Sequence, residues 1–149
     1  MSVQQQLDEV YLEAFKGKQE TAVSTLRMLK AVIVNKKIEK KMAKEEILSD
    51  DDIVMIIKSE VKKRQDSIVA YREGGRDDLV QKEQAEIEVL NRFLPEQLTE
   101  DQVRAAVVEA IKETGATDFG KVMGLVMAKT RGQTDGQLVS RLVKEELAK

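Results

Sequence analysis

Apolar residues recur at intervals of three and four along almost the whole chain, and proline, which would interrupt such a pattern, occurs only at position 95. This spacing places apolar side chains on one face of an α-helix. No stretch alternates between apolar and polar residues over a useful length, so no β-sheet is predicted. The chain is therefore expected to be all-α, with helices separated by glycines and by Pro95.

Local start and stop signals divide the pattern into seven helices. Four are predicted in the first part of the chain: about residues 3–16 ending at Gly17, about 20–42, one from Ser49 to Gly74-Gly75, and one from Asp77-Asp78 until Pro95. Three shorter helices are predicted to follow the capping residues Thr99, Thr117 and Thr134, with Gly115 ending the first of them. The predicted domains are an N-terminal four-helix bundle (1–94), a linker (95–98) and a C-terminal three-helix bundle (99–149).

The chain of 149 residues contains neither cysteine nor histidine. These absences exclude disulfides, thiol and imidazole catalysis, and the usual ligands of zinc. The N-terminus has no signal-peptide pattern, and no apolar run is long enough to cross a bilayer. We therefore expect a cytoplasmic protein that uses no membrane, metal or cofactor, and no residue pattern indicates a catalytic site.

Six polar residues fall on or beside the predicted apolar helix faces, where a core alone would not place them. They are Arg27, Glu60, Arg64, Ser67, Glu83 and Glu86. Such groups can form an inter-helix network that fixes helix register, or a site that faces a ligand or RNA. They can also lie exposed at the rim of a bundle, and the spacing alone leaves these three interpretations open.

Positive charge is concentrated in two stretches, although the net charge is −2. Residues 26–44 contain seven Lys or Arg and one Glu, and residues 121–149 contain six Lys or Arg and three acidic residues. Such asymmetry can orient a protein on a polyanion. In the first stretch Lys36, Lys37 and Lys40 are candidate RNA contacts, although lysines at a helix C-terminus also favour the helix dipole. No aromatic residue interleaves with them, so they do not indicate a base-stacking surface.

The predicted sixth helix contains two glycines four residues apart, Gly120 and Gly124. Glycine disfavours the helix, so the pair costs on the order of 1–2 kcal/mol in helix propensity. Two explanations are open. The glycines allow another helix of the C-terminal bundle to pack closely, or they let the backbone approach a large partner such as RNA, with Lys121, Lys129 and Arg131 supplying positive charge.

Seven short segments carry a resemblance to a known family. They are Leu26-Arg27-Met28-Leu29-Lys30-Ala31, Lys62-Lys63-Arg64-Gln65-Asp66-Ser67-Ile68, Gly75-Arg76-Asp77-Asp78-Leu79 with Glu83, Glu86-Ile87-Glu88-Val89-Leu90, Phe93-Leu94-Pro95-Glu96-Gln97-Leu98, Gly120-Lys121-Val122-Met123-Gly124 and Gly132-Gln133-Thr134-Asp135-Gly136. In this order they resemble the YqeY family, whose C-terminal part is also the tail domain of the GatB and GatE subunits of tRNA-dependent amidotransferases. The resemblance implies a four-helix bundle followed by a three-helix bundle, as the periodicity also predicts.

The resemblance also implies a role directed at tRNA. In the amidotransferases the tail domain helps to hold tRNA, while kinase-like and amidase portions that this chain lacks carry out the chemistry. We therefore expect a module that binds tRNA, or a tRNA-amidation or aminoacylation complex, through phosphates and shape and without a self-contained catalytic site. Two alternatives stay open: an enzyme or enzyme subunit with carbon–nitrogen ligase activity that uses glutamine as amido donor, and a protein-interaction adaptor whose acidic middle docks a basic partner.

Overall fold

Seven helices and no strand are present in the computed structural model, which describes residues 1–115 and 118–149, so the all-α prediction is confirmed. The helices are α1 (Val3–Lys16), α2 (Glu20–Glu39), α3 (Asp50–Glu73), α4 (Asp77–Asn91), α5 (Glu100–Thr114), α6 (Phe119–Lys129) and α7 (Gly136–Leu147). They fall into two compact units, Met1–Leu94 and Pro95–Lys149. None of the helices in the described ranges is both long and apolar enough to cross a membrane.

The N-terminal unit contains α1 to α4 around one apolar core. α2 contacts the other three helices, and α3 packs along α4 and also touches α1. The buried core side chains are Leu7, Leu26, Leu29, Ile33, Leu48, Ile53, Ile57, Val61, Leu90 and Phe93. Since burying one such side chain contributes about 1.5–3 kcal/mol, this shared core fixes the helices against one another.

The C-terminal unit has its own core, made mostly of valine. Each pair of its three helices is in contact, and the buried side chains are Val103, Val107, Ala110, Val122, Val126, Val139, Leu142 and Val143. Residues 95–98, which the sequence assigns to a linker, hydrogen-bond to the turn between α6 and α7. The Leu98 N–H donates to the Gln133 carbonyl at 2.8 Å, and Gln97 Nε2 donates to the Gly132 carbonyl at 2.8 Å.

Several helix ends follow the predicted signals. At α5, Thr99 and Gln102 form a reciprocal capping box, and Gly115 ends the helix in the left-handed conformation at φ 60°. At α3 the Ser49 hydroxyl accepts from the Asp52 N–H. These caps satisfy N–H and carbonyl groups that a helix leaves unpaired at its ends.

Two helices end earlier than the sequence predicts. α2 ends at Glu39 rather than near Met42, because Lys41 adopts φ 56°, which does not continue a right-handed helix. α4 ends at Asn91 rather than at Pro95. The chain turns after Asn91 and buries Phe93 in the core of the N-terminal unit, so packing ends the helix before the proline does.

Two helix starts also differ from the prediction. Asp118 caps α6 by accepting the Gly120 N–H, and the predicted cap Thr117 lies outside the described residues. Asp135, rather than Thr134, caps α7 and accepts the Gln137 N–H. A carboxylate at this position also interacts favourably with the positive end of the helix dipole, which a threonine hydroxyl does not.

Candidate nucleic-acid interface

The two glycines of α6 face open space. A Cβ atom built on Gly124 meets no atom within 4 Å, and one built on Gly120 has only Asp118 Oδ1 nearby, at 3.5 Å. On the other side of the helix Val122 and Val126 are fully buried in the core. Within the described residues no helix packs against either glycine, so close packing inside the chain does not explain them.

Small residues make the outward face of α6 smooth. Helical spacing places Gly120, Gly124 and Ala128 in one row, and all three are exposed. Phe119 and Met127, also exposed, border the row on one side. The backbone of α6 is therefore accessible to a large partner over about two turns of helix.

The three candidate cations near this face have different surroundings. Lys121 is exposed and makes no ion pair within the described part of the chain. Lys129 forms an ion pair with Glu113 of α5, and the hydrogen bond that it donates to this carboxylate raises the pKa of the lysine. Arg131 lies exposed in the turn after α6. The arrangement supplies exposed positive charge at both ends of the smooth face, with part of it neutralised by α5.

The lysines at the end of α2 contact other groups of the N-terminal unit. Their partners are Glu39 for Lys36 (3.6 Å), the Lys44 carbonyl for Lys37 (2.9 Å) and Asp52 for Lys40 (2.6 Å). The hydrogen bond from Lys40 holds the pKa of the Asp52 carboxyl below its usual value. The Lys37 and Lys40 contacts join the end of α2 to the segment before α3 and to the start of α3, and the Lys36–Glu39 pair lies within α2, so all three lysines have a structural use.

A buried charge cluster lies between α3 and α4. The side chains of Arg64, Glu60 and Glu86 are each more than nine-tenths buried. Arg64 Nη1 donates to the Glu60 carbonyl at 3.0 Å, and Arg64 Nε lies 3.9 Å from Glu86 Oε2. Glu83 is half-buried beside them; burial and the neighbouring Glu86 charge raise its pKa. The cluster therefore joins two helices and has little access to solvent.

The other two polar candidates lie apart from this cluster. Ser67 Oγ donates to the Lys63 carbonyl one turn earlier, at 3.0 Å. Arg27 is exposed on α2, and its Nη2 donates to the Tyr11 hydroxyl of α1 at 3.2 Å. The contact between Arg27 and Tyr11 could not be predicted from the sequence, because helical spacing predicts which residues share a face but not which faces of two helices meet.

Comparison with known proteins identifies the family. A family model described as "Yqey-like protein" matches residues 4–147, almost the whole chain. The chain belongs to the Yqey-like protein family. The resemblance carried by the seven segments is thereby confirmed.

Several curated proteins are similar to this chain. "Altered inheritance of mitochondria protein 41, mitochondrial" of Pyrenophora tritici-repentis is 34% identical over 89% of this chain and 74% of its own length. A glutamyl-tRNA(Gln) amidotransferase subunit of Methanosarcina barkeri, the GatE type, is 32% identical over 95% of this chain but only 23% of its own length. Its counterpart in Thermococcus gammatolerans is 45% identical over 32% of this chain and 8% of its own length.

These relatives bear on two of the predictions from sequence. The link to the amidotransferase subunits is confirmed, and the similarity covers only a small part of those long proteins. The name of the fungal relative places that protein in mitochondria. The cytoplasmic location expected for this chain therefore stays a prediction.

Proposed function

We propose that this chain is a tRNA-directed binding module that docks RNA phosphates on the outward face of α6, without a self-contained catalytic site. The observation that carries the proposal is the open space at Gly124, next to a lysine that makes no ion pair within the described residues. The two exposed glycines lower the helix propensity of α6, and no packing contact within the described residues compensates for that cost. An accessible backbone beside positive charge suits a phosphate backbone.

The relatives support tRNA as the RNA. The name of the Methanosarcina protein includes glutamyl-tRNA(Gln), and its similarity extends over 95% of this chain. Because the chain spans only 23% of that protein, its amidation chemistry does not transfer with the similarity. We therefore propose that the shared part contributes to holding tRNA or to docking on a tRNA-amidation or aminoacylation complex.

The cations of this face determine how binding depends on salt. Lys121 is available directly, whereas Lys129 exchanges its exposed contact with Glu113 for a phosphate. Each phosphate contact on RNA releases condensed counterions, so three contacts give a logarithmic salt slope of about −2 to −3. Between 50 and 200 mM salt the affinity is then expected to fall roughly 15- to 65-fold.

A tRNA titration at two salt concentrations tests the proposal. We expect salt-sensitive binding that is lost when Lys121, Lys129 and Arg131 are replaced together by alanine. The matched control replaces Lys62, Arg72 and Lys82, three exposed cations of the N-terminal unit, so that the change in net charge is the same. Equal losses in both triple variants would indicate non-specific charge attraction and contradict the α6 site. No binding at low salt would contradict the whole proposal and favour a protein partner.

A substitution at Gly124 separates binding from folding. Gly124 is exposed and a Cβ atom there meets no atom of the described residues within 4 Å, so Gly124→Ala fits the folded chain and the longer side chain of Gly124→Leu starts from open space. We expect both variants to keep their helix content and to bind tRNA more weakly, leucine more so than alanine, because added bulk keeps the backbone away from the phosphates. Unchanged tRNA affinity in the leucine variant would show that α6 does not face RNA.

A further inference from the structure

Two of the five aromatic residues of the chain lie side by side on α1: half-buried Tyr11, which packs against the core of the N-terminal unit, and exposed Phe15. The rings of Tyr11 and Phe15, one turn apart on α1, have centroids 6.3 Å apart and planes inclined by 33°. Phe15 is 57% exposed, although an aromatic side chain is among the groups that gain most from burial. Nothing in the core of this unit requires a phenylalanine at that position.

Contacts from α2 hold the Tyr11 ring in place. Lys30 Nζ lies 4.5 Å from the ring centroid and 3.0 Å from Asp8 Oδ1, and Arg27 donates to the Tyr11 hydroxyl. A cation over a ring and a hydrogen bond to its hydroxyl together restrict the ring's rotation. Phe15 therefore stands beside a fixed neighbour, and the contacts that hold Tyr11 leave the Phe15 ring exposed.

Positive charge accompanies the exposed ring. Lys16 and Lys18, directly after Phe15, are exposed and make no ion pair within the described residues. The nearby carboxylates Glu9 and Glu13 point away from Phe15, by about 120° and 160° around the helix axis. Among the carboxylates of α1, only Asp8 shares the side of Phe15, and it pairs with Lys30, whereas Lys16 and Lys18 at the end of the helix make no ion pair within the described residues.

We infer that an unpaired base of single-stranded RNA stacks on the exposed ring of Phe15. The surface around the base is formed by Tyr11, Phe15, Lys16, Lys18, Arg27 and Lys30. An exposed aromatic ring with adjacent cations is the combination that single-stranded nucleic acid requires, because the ring takes the base and the cations take the phosphates. A helix of a partner protein would instead need a continuous apolar groove. This site differs from the α6 face in its contacts, which are made with a base, and does not depend on tRNA binding there.

A single tryptophan tests the inference, since the chain contains none. Phe15→Trp places the only indole of the protein in the proposed site, where a stacked base quenches its fluorescence. We expect a short single-stranded oligoribonucleotide to quench this signal, and an oligonucleotide of equal length with abasic central positions to leave it unchanged. Phe119→Trp, at an exposed phenylalanine of α6, is the matched reporter in the other unit.

Alanine substitution gives a second readout. Phe15→Ala is expected to weaken binding of the oligonucleotide about 5- to 100-fold, and Phe15→Tyr to retain it. Leu12→Ala, at another exposed apolar residue of α1, is expected to leave it unchanged. Absence of quenching at Phe15→Trp, equal quenching by the abasic strand, or full binding by Phe15→Ala would overturn the inference. The response of Phe119→Trp to tRNA reports separately on the α6 face.

Discussion

At the scale of single residues, Arg64 shows how a buried charge can serve structure. The arginine lies between Glu60 of its own helix and Glu86 of α4, with all three side chains more than nine-tenths buried. Its Nε makes no hydrogen bond within the described residues, and the nearest carboxylate oxygen of Glu86 is 3.9 Å away. Such a cluster costs desolvation energy and contributes little net stability. Removing Arg64 nevertheless leaves the buried Glu86 carboxylate without this partner, while Glu60 keeps its ion pair with exposed Lys63 at 3.1 Å.

Arg64→Ala is therefore expected to lower the free energy of unfolding by about 3–5 kcal/mol, measured by urea denaturation. Replacing Glu60 and Glu86 by glutamine in the same variant should restore part of that loss, because no unpaired charge is then left buried. If Arg64→Ala instead kept its stability and lost tRNA binding, the cluster would be a ligand site rather than a contact between α3 and α4.

Glu83 gives a prediction for pH dependence. Burial, together with the charge of Glu86, raises its pKa, so folding favours the protonated form. The charged form consequently opposes folding at neutral pH, and this cost disappears as the pH falls through the raised pKa. Glu83→Gln is expected to increase the free energy of unfolding at pH 7 by less than about 1 kcal/mol and to have little effect at about pH 3. A larger gain at acid pH than at neutral pH would contradict this sign.

At the scale of helices, much of the layout could be predicted because caps and spacing are local. Thr99, Gln102 and Gly115 mark the ends of α5 in the sequence as they do in the structure. The early end of α4 could not be predicted in this way, since it depends on Phe93 entering a core formed by distant residues. The open space at Gly124 could not be predicted either, because the spacing of residues does not show whether a helix face packs against another helix.

Two glycines with equal space around them should respond oppositely to alanine. Neither Gly124 nor Gly115 has an atom within 4 Å of a built Cβ, but only Gly115 has a positive φ, of 60°. Gly124→Ala is expected to stabilise the protein by roughly 0.5–1 kcal/mol through helix propensity, and Gly115→Ala to destabilise it by about 1–2 kcal/mol. Thermal denaturation of both variants measures the difference. A destabilising Gly124→Ala would mean that the space on α6 is occupied.

Ion pairs between α5 and α7 should make the C-terminal unit sensitive to acid. Arg104 contacts Glu145 at 2.9 Å and Glu146 at 2.8 Å. Hydrogen bonds from Arg104 and Arg141 lower the pKa of Glu145. Hydrogen bonds from Lys149 and, to a smaller extent, Arg104 lower the pKa of Glu146. These ion pairs stabilise the folded protein fully when the pH is above the pKa that the two carboxyls have in the unfolded chain. This stabilisation is lost as the pH falls through the lower pKa that they have in the folded protein. Arg104→Gln should therefore reduce the melting temperature at neutral pH more than at acid pH, and an equal reduction at both would contradict this origin.

At the scale of the whole molecule, the sequence predicted the class of fold and the family but not the surfaces. The seven segments that resemble the family extend over most of the chain, so their order carried information that no single segment contained. The aromatic pair on α1 lay outside those segments, and two of its cationic neighbours, Arg27 and Lys30, belong to α2. A surface assembled from two helices becomes visible only when their packing is known.

The division into two units, each with its own core, gives the last prediction. A fragment of residues 1–94 is expected to fold alone and to melt cooperatively, since its core draws on all four of its helices. Residues 95–149 form a shorter unit with a valine core, so they should be helical but less stable. Circular dichroism and thermal melting of each fragment test this.

If both fragments fold, the first fragment carrying Phe15→Trp should keep its response to unpaired bases, and the second should keep salt-sensitive binding of tRNA. Loss of a response from a fragment that is fully folded would assign that contact to residues of both units.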